Sequence, residues 1–128
     1  MKLNKENKQK INYIFDVLKQ NKINVLIVRF FGSGDDGNME IDSYDGPEID
    51  LDEPTIFVES VYKDGKYQPD NISLEQVIYI VSDYMLDEKG IDYANGNGND
   101  GTITFTVSNR NVSMNYLVTD TEEYEFSV

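Results

Sequence analysis

The sequence predicts an α+β fold: a mostly antiparallel sheet of five to six strands with two helices, in the order α-β-β-β-α-β-β(-β). Three observations carry this. Stretches of helical period stand at residues 4–21 and from Ser73 onward, and the strand-like runs follow one another instead of alternating with helices. Near the end, Ile103, Phe105 and Val107 alternate with Thr102, Thr104 and Thr106, the pattern of a strand with one buried and one wet face. Turn signals rich in Gly, Asp and Asn punctuate the apolar runs. The length, 128 residues, fits one domain spanning 1–128 that can bury a core without staples.

The first helix places Ile11, Ile14, Phe15 and Leu18 at i, i+3, i+4 and i+7, with Val17 at the edge of the stripe. Lys2, Lys5, Lys8 and Lys10 crowd its opening turns against the helix dipole, so that end is expected to fray or to be held by the acidic body. Asn21-Lys22 supply the stop. Ile23 to Phe31 follows, apolar from Val25 to Phe30 except for Arg29, and predicts a central strand buried on both faces. A hairpin through Gly32–Gly37 returns as the strand Asn38–Ser43, and residues 44–53 are loop.

A third strand, Thr55 to Tyr62, is introduced by Pro54 and ends at the Asp64-Gly65 turn. Ser73-Leu-Glu-Gln76 matches a capping box and opens a second helix whose Leu74, Val77, Ile78, Val81 and Met85 form one stripe. Lys89 and Gly90 mark its end. Ile80 and Tyr84 lie off the stripe, as a second contact. After the turn at 94–101 come strands at 102–107 and 112–118, and Tyr124, Phe126 and Val128 continue the alternation into a sixth.

Charge is the strongest compositional signal. Twenty-four acids oppose eleven bases for a net of −13, yet residues 1–22 hold six lysines against Glu6 and Asp16. The acids concentrate elsewhere: Asp35, Asp36, Glu40, Asp42, Asp45, Glu48, Asp50, Asp52 and Glu53 occur with no intervening base. Such a surface repels nucleic acid and anionic membranes and attracts cations or basic proteins, so neither direct nucleic-acid binding nor a membrane role is expected. The chain has no cysteine and no histidine, which removes thiol catalysis, disulfides and the commonest general base and metal ligand. No signal peptide or membrane-length apolar run is visible, and a cytoplasmic location is expected.

Each chemical motif has a plainer counterpart. Gly32-Ser33-Gly34-Asp35-Asp36-Gly37 lacks the Lys-Ser/Thr of a phosphate-binding loop and leads into a strand, so a glycine-rich hairpin is the better account. Asn95, Asn97 and Asn99 copy an EF-hand's spacing, but Asp100 stands where Gly is required and Thr106 where a bidentate Glu belongs. No metal and no cofactor is therefore assigned. Paired carboxylates are so abundant that none singles out an active site, and a non-enzymatic role is expected; a divalent-cation-binding or carboxylate-based enzyme is the alternative. A structural accessory domain associating through Tyr79, Tyr84 and Tyr124 is a third.

The stretch Val25 to Ile41, with Gly32-Ser33-Gly34-Asp35 and Gly37-x-Met39-Glu40, resembles a widespread family of short bacterial and phage proteins catalogued as a domain of unknown function. The likeness extends over residues 23–128 through Asn97–Gly101, Thr102–Met114 and Tyr124-Glu125-Phe126. Relatives carry a Trp before the last turn, where this chain has Ile91-Asp92-Tyr93. The resemblance implies architecture and a phage or mobile-element setting, without catalytic residues. Charge density and setting together lead to the expectation of an anti-defence inhibitor, anti-CRISPR among them. Its acids at 35–53, projected beside Gly32, Ser33 and Gly34, would mimic nucleic-acid charge in the groove of a basic, nucleic-acid-binding protein.

Overall fold

The computed structural model describes residues 4–33, 36–90, 100–117 and 121–127. Its elements are α1 (Lys5–Gln20), β1 (Val25–Ser33), β2 (Asp36–Tyr44), β3 (Pro54–Lys63), β4 (Lys66–Ser73), α2 (Leu74–Glu88), β5 (Asp100–Thr106), β6 (Asn111–Leu117) and β7 (Thr121–Ser127). All strand pairs are antiparallel, as the α+β expectation required. They divide into a five-stranded sheet, order β2-β1-β5-β6-β7, and a separate β3-β4 hairpin.

Strand β4 is the element the sequence concealed. Its residues, KYQPDNIS, have poor strand propensity, with Pro69 in the middle. It forms because Asp64 and Gly65 both take positive φ (54° and 81°), the two-residue turn whose twist matches paired strands, and so set Lys63 opposite Lys66. Pro69 is tolerated because a two-stranded ribbon leaves each strand one unpaired edge.

Both helices begin and end as their sequences dictate. The Asn4 side chain accepts the Asn7 amide at the start of α1. At its end the Ile23 amide donates to Leu18 O (2.9 Å) and the Lys22 amide to Lys19 O (3.1 Å), a Schellman cap with Lys22 in the left-handed conformation (φ 61°). The Ser73–Gln76 capping box is complete, with Gln76 Oε1 accepting the Ser73 amide at 2.8 Å and Ser73 Oγ the Gln76 amide at 3.2 Å. Gly90, φ 70°, closes α2 with its amide on Asp87 O.

The helices cover one face of the large sheet. Ile11, Ile14, Phe15 and Leu18 of α1, with Val77, Ile78, Val81 and Met85 of α2, join Leu26, Val28, Phe30, Ile103, Phe105, Val112 and Met114 in a single buried cluster. Phe15 meets Phe105 edge-on, centroids 6.1 Å apart. Arg110 fastens the β5–β6 turn to α1, its guanidinium donating to Asn12 Oδ1 (2.9 Å) and Asp16 Oδ1 over the Phe15 ring. In register, Tyr124 stands opposite Met114 and Phe126 opposite Val112, on β7.

The other sheet face is open, so β1 is not buried on both sides as its apolar run suggested. Val25, Ile27 and Phe31 are half-buried there and Arg29 is exposed, its guanidinium 4.7 Å over the Phe31 ring and bonded to Glu40 at 3.2 Å. The β3-β4 hairpin packs instead against both helices: it lies along α2, and toward α1 Phe57 meets Tyr13 edge-on at 5.3 Å while buried Lys10 reaches Glu6 (3.1 Å) and Glu59 (3.4 Å). Lys10 thus engages Glu6 and Glu59, and among the described residues no amino-terminal lysine pairs with an acid of the 35–53 run.

Candidate functional site

The run of acids divides between two elements. Asp36, Glu40 and Asp42 lie on β2, an edge strand of the large sheet. Glu40 is neutralised by Arg29 across the strand pair. Ile27 faces Ser43 and Val28 faces Ile41, which leaves Asp42 as the extra, exposed residue of a bulge. Gly32 and Ser33 close the β1-β2 hairpin, the Gly32 amide donating to Asp100 Oδ1 at 3.3 Å. Gly34 and Asp35, between them, lie outside the described residues.

Asp45 is structural. Its Oδ1 accepts the amides of Asn24 (2.9 Å) and Val25 (2.7 Å), and its own amide donates to Val25 O at 3.1 Å, so it locks the loop after β2 to the entry of β1. Gly46 follows at φ +136°, close enough to Ile23 that an added Cβ would stand 3.0 Å from its Cγ1.

From there to Glu53 the loop alternates. Ile49 and Leu51 pack on the core, while Glu48, Asp50, Asp52 and Glu53 stay exposed. The backbone is held at both ends of the segment: the Ile49 amide donates to the Tyr44 hydroxyl, the Glu75 amide to Leu51 O (2.9 Å) and the Leu74 amide to Glu53 O (3.0 Å). Asp50 accepts the Asp52 amide at 3.0 Å, fixing the turn. The result is an open depression of about 570 Å³ lined by Glu48, Asp50, Asp52 and Glu75 over a floor of Ile49 and Leu51. Among the described residues, none of Glu48, Asp50, Asp52, Glu53 and Glu75 makes an ion pair.

Two tyrosines report the local field. Burial, then the Glu53 charge, pushes the Tyr13 phenol above its ordinary value. Burial pushes Tyr79 up too, followed by the Glu75 charge, with the Ile41 backbone acting the other way and Glu40 adding to the upward field. Glu75 is the site residue that sequence spacing missed: it is twenty-two residues beyond Glu53 in the chain, and only the docking of loop 45–53 on the start of α2 brings it there. Tyr79 and Tyr84, expected as an exposed association face, are half-buried against the core; the side chain of Tyr124 lies outside the described residues.

Residues 91–99, with all three EF-hand-like asparagines, also lie outside the described residues; Asp100 opens β5. Among the described residues no group of three or more acids is gathered closely enough to hold a metal ion. Among them, too, no helix is long and apolar enough to cross a membrane. No curated protein and no solved structure matches the chain. The model of a family of unknown function, DUF6878, matches residues 3–128, and the chain belongs to that family.

Proposed function

We propose that this is a non-enzymatic interaction protein that presents loop 45–53 and Glu75 to a basic site on a nucleic-acid-handling protein. The observation that supports it is a set of four exposed carboxylates on a loop whose backbone is bonded at several points, with half-buried Glu75 beside them and no cation partner for any of the five among the described residues. A loop with its backbone already held loses little entropy on docking, and negative charge displayed over a shallow surface competes for the same Lys and Arg side chains as phosphates do. In a phage or mobile-element setting, which the first-noted resemblance suggests, such a protein would act as an inhibitor of a defence nuclease.

The test is direct binding to a nucleic-acid-binding protein with a basic groove, with the nucleic acid as competitor and salt as the variable. Affinity is expected to fall steeply with salt, and the quadruple variant Glu48→Gln/Asp50→Asn/Asp52→Asn/Glu53→Gln is expected to lose about tenfold or more. Binding that is indifferent to salt, or to those four neutralisations, would refute the proposal.

A further inference from the structure

Among the described residues, the large exposed apolar side chains gather on the β3-β4 hairpin. Ile56 (74% exposed), Val58 (54%) and Tyr62 (63%) alternate along one side of β3, and Tyr67 (74%) stands opposite Tyr62 with ring centroids 5.2 Å apart. The positions between and opposite them on that side are Ser60, Pro69 and Asn71. None is charged, in a chain of which 27% of residues are charged. The hairpin's charges, Glu59, Lys63, Lys66 and Asp70, fall on the alternate positions and face the other way. The face is therefore not a by-product of composition: the period-2 pattern sorts charge away from it.

We infer that this face is where two copies of the chain associate, ribbon against ribbon about a two-fold axis. A chain of net charge −13 repels its own copy wherever carboxylates would meet, and a charge-free face removes that cost at the point of contact. An antiparallel, isologous pairing brings this face of one copy against the same face of the other. The four apolar side chains offer about 500 Å² per copy, which over two copies reaches the lower bound of about 1,000 Å² for a specific interface. The pairing is accordingly a modest, concentration-dependent one.

Sedimentation velocity of the full chain from about 1 µM to about 1 mM reads it directly. The weight-average mass is expected to climb from 14.7 kDa toward twice that value. Tyr67→Ser with Ile56→Ser, at side chains exposed enough that the fold is untouched, is expected to raise the midpoint concentration about tenfold or more, with circular dichroism unchanged. A mass fixed at the monomer value over the whole range overturns the inference and leaves the face to a different protein. A dimer whose midpoint ignores the hairpin pair overturns it as well. The quadruple acid variant of the preceding section leaves Tyr67 and Ile56 in place, so loss of partner binding and loss of self-association are separable.

Discussion

Asp45 is the residue at which the structural and interactive uses of the acidic run separate. Asp45→Ala removes an acceptor that holds two amides, Asn24 at 2.9 Å and Val25 at 2.7 Å, across the join between loop 45–53 and β1. Charge-assisted hydrogen bonds contribute about 1.5–3 kcal/mol each when desolvated, but this carboxylate is exposed and water replaces much of what is lost, so the pair is worth about 1–2 kcal/mol. Asp45→Asn keeps an oxygen acceptor and gives up the charge, and about half that loss is expected. Asp50→Asn is the control. Its carboxylate holds one amide two residues along, and its stability change is expected within about 0.5 kcal/mol of zero. Urea unfolding resolves the difference, and thermal melts of a chain this size translate it to a drop of about 3–6 °C for Asp45→Ala. If Asp45→Ala and Asp50→Asn melt together, the Asp45 contacts do not hold the loop, and the rigidity on which the proposed docking rests goes with them.

Four further outcomes follow from single sites. Lys22 occupies the left-handed position of the α1 cap at φ 61°, so Lys22→Gly is expected to stabilise by about 0.5–1 kcal/mol in denaturant titration. Ser82 is fully buried in α2 with a hydroxyl that finds no partner among the described residues; Ser82→Ala is expected to raise the melting temperature, by about 0.5–1.5 kcal/mol in stability. Gly46→Ala meets both a φ of +136° and contacts at 3.0 Å and 3.1 Å, and is expected to cost about 2–4 kcal/mol, read from the same titration. Tyr13 and Tyr79 keep their phenolic protons in the folded state above the pH at which an unfolded chain loses them. Their contribution is complete below the ordinary tyrosine value and falls as pH rises through the folded ones, so alkaline unfolding is expected to be shallower in Tyr13→Phe/Tyr79→Phe, followed by circular dichroism against pH.

What the sequence disclosed and what it hid have physical causes. Helix ends were legible because capping is local: Ser73 and Gln76 satisfy each other's amides three residues apart. The Thr-lined β5 was legible because its pleat sorts Ile103 and Phe105 inward. Strand β4 was hidden because its pairing comes from the Asp64-Gly65 turn and not from the propensity of Pro69, Asp70 and Asn71. The open face of β1 was hidden because an apolar run does not say how many layers cover it; Arg29 was the one residue in that run that did. Glu75 was hidden because its place beside Asp50 and Asp52 is a tertiary fact.

The density of acids between Asp35 and Glu53 was the first argument for a cationic partner, and the fold shows that the run has several causes. On β2 the unpaired edge of a five-stranded sheet is a template for another strand, and charge together with a bulge at Asp42 makes it a poor one; Glu40 is further committed to Arg29. Asp45 is committed to two amides. These residues would be acidic or bulged for the sake of folding alone. The same does not hold for Glu48, Asp52 and Glu53, whose carboxylates, among the described residues, meet no base and accept no backbone amide while their neighbours Ile49 and Leu51 are drawn into the core. Asp50 stands with them, its carboxylate spent on nothing beyond its own turn. A loop that needed only solubility has no reason to be bonded so closely to the start of α2, where Glu75 adds a fourth carboxylate to the same depression. The case for an electrostatic partner therefore rests on these five side chains, and substitutions confined to Glu40, Asp42 and Asp45 are the ones expected to leave the salt dependence of binding unchanged.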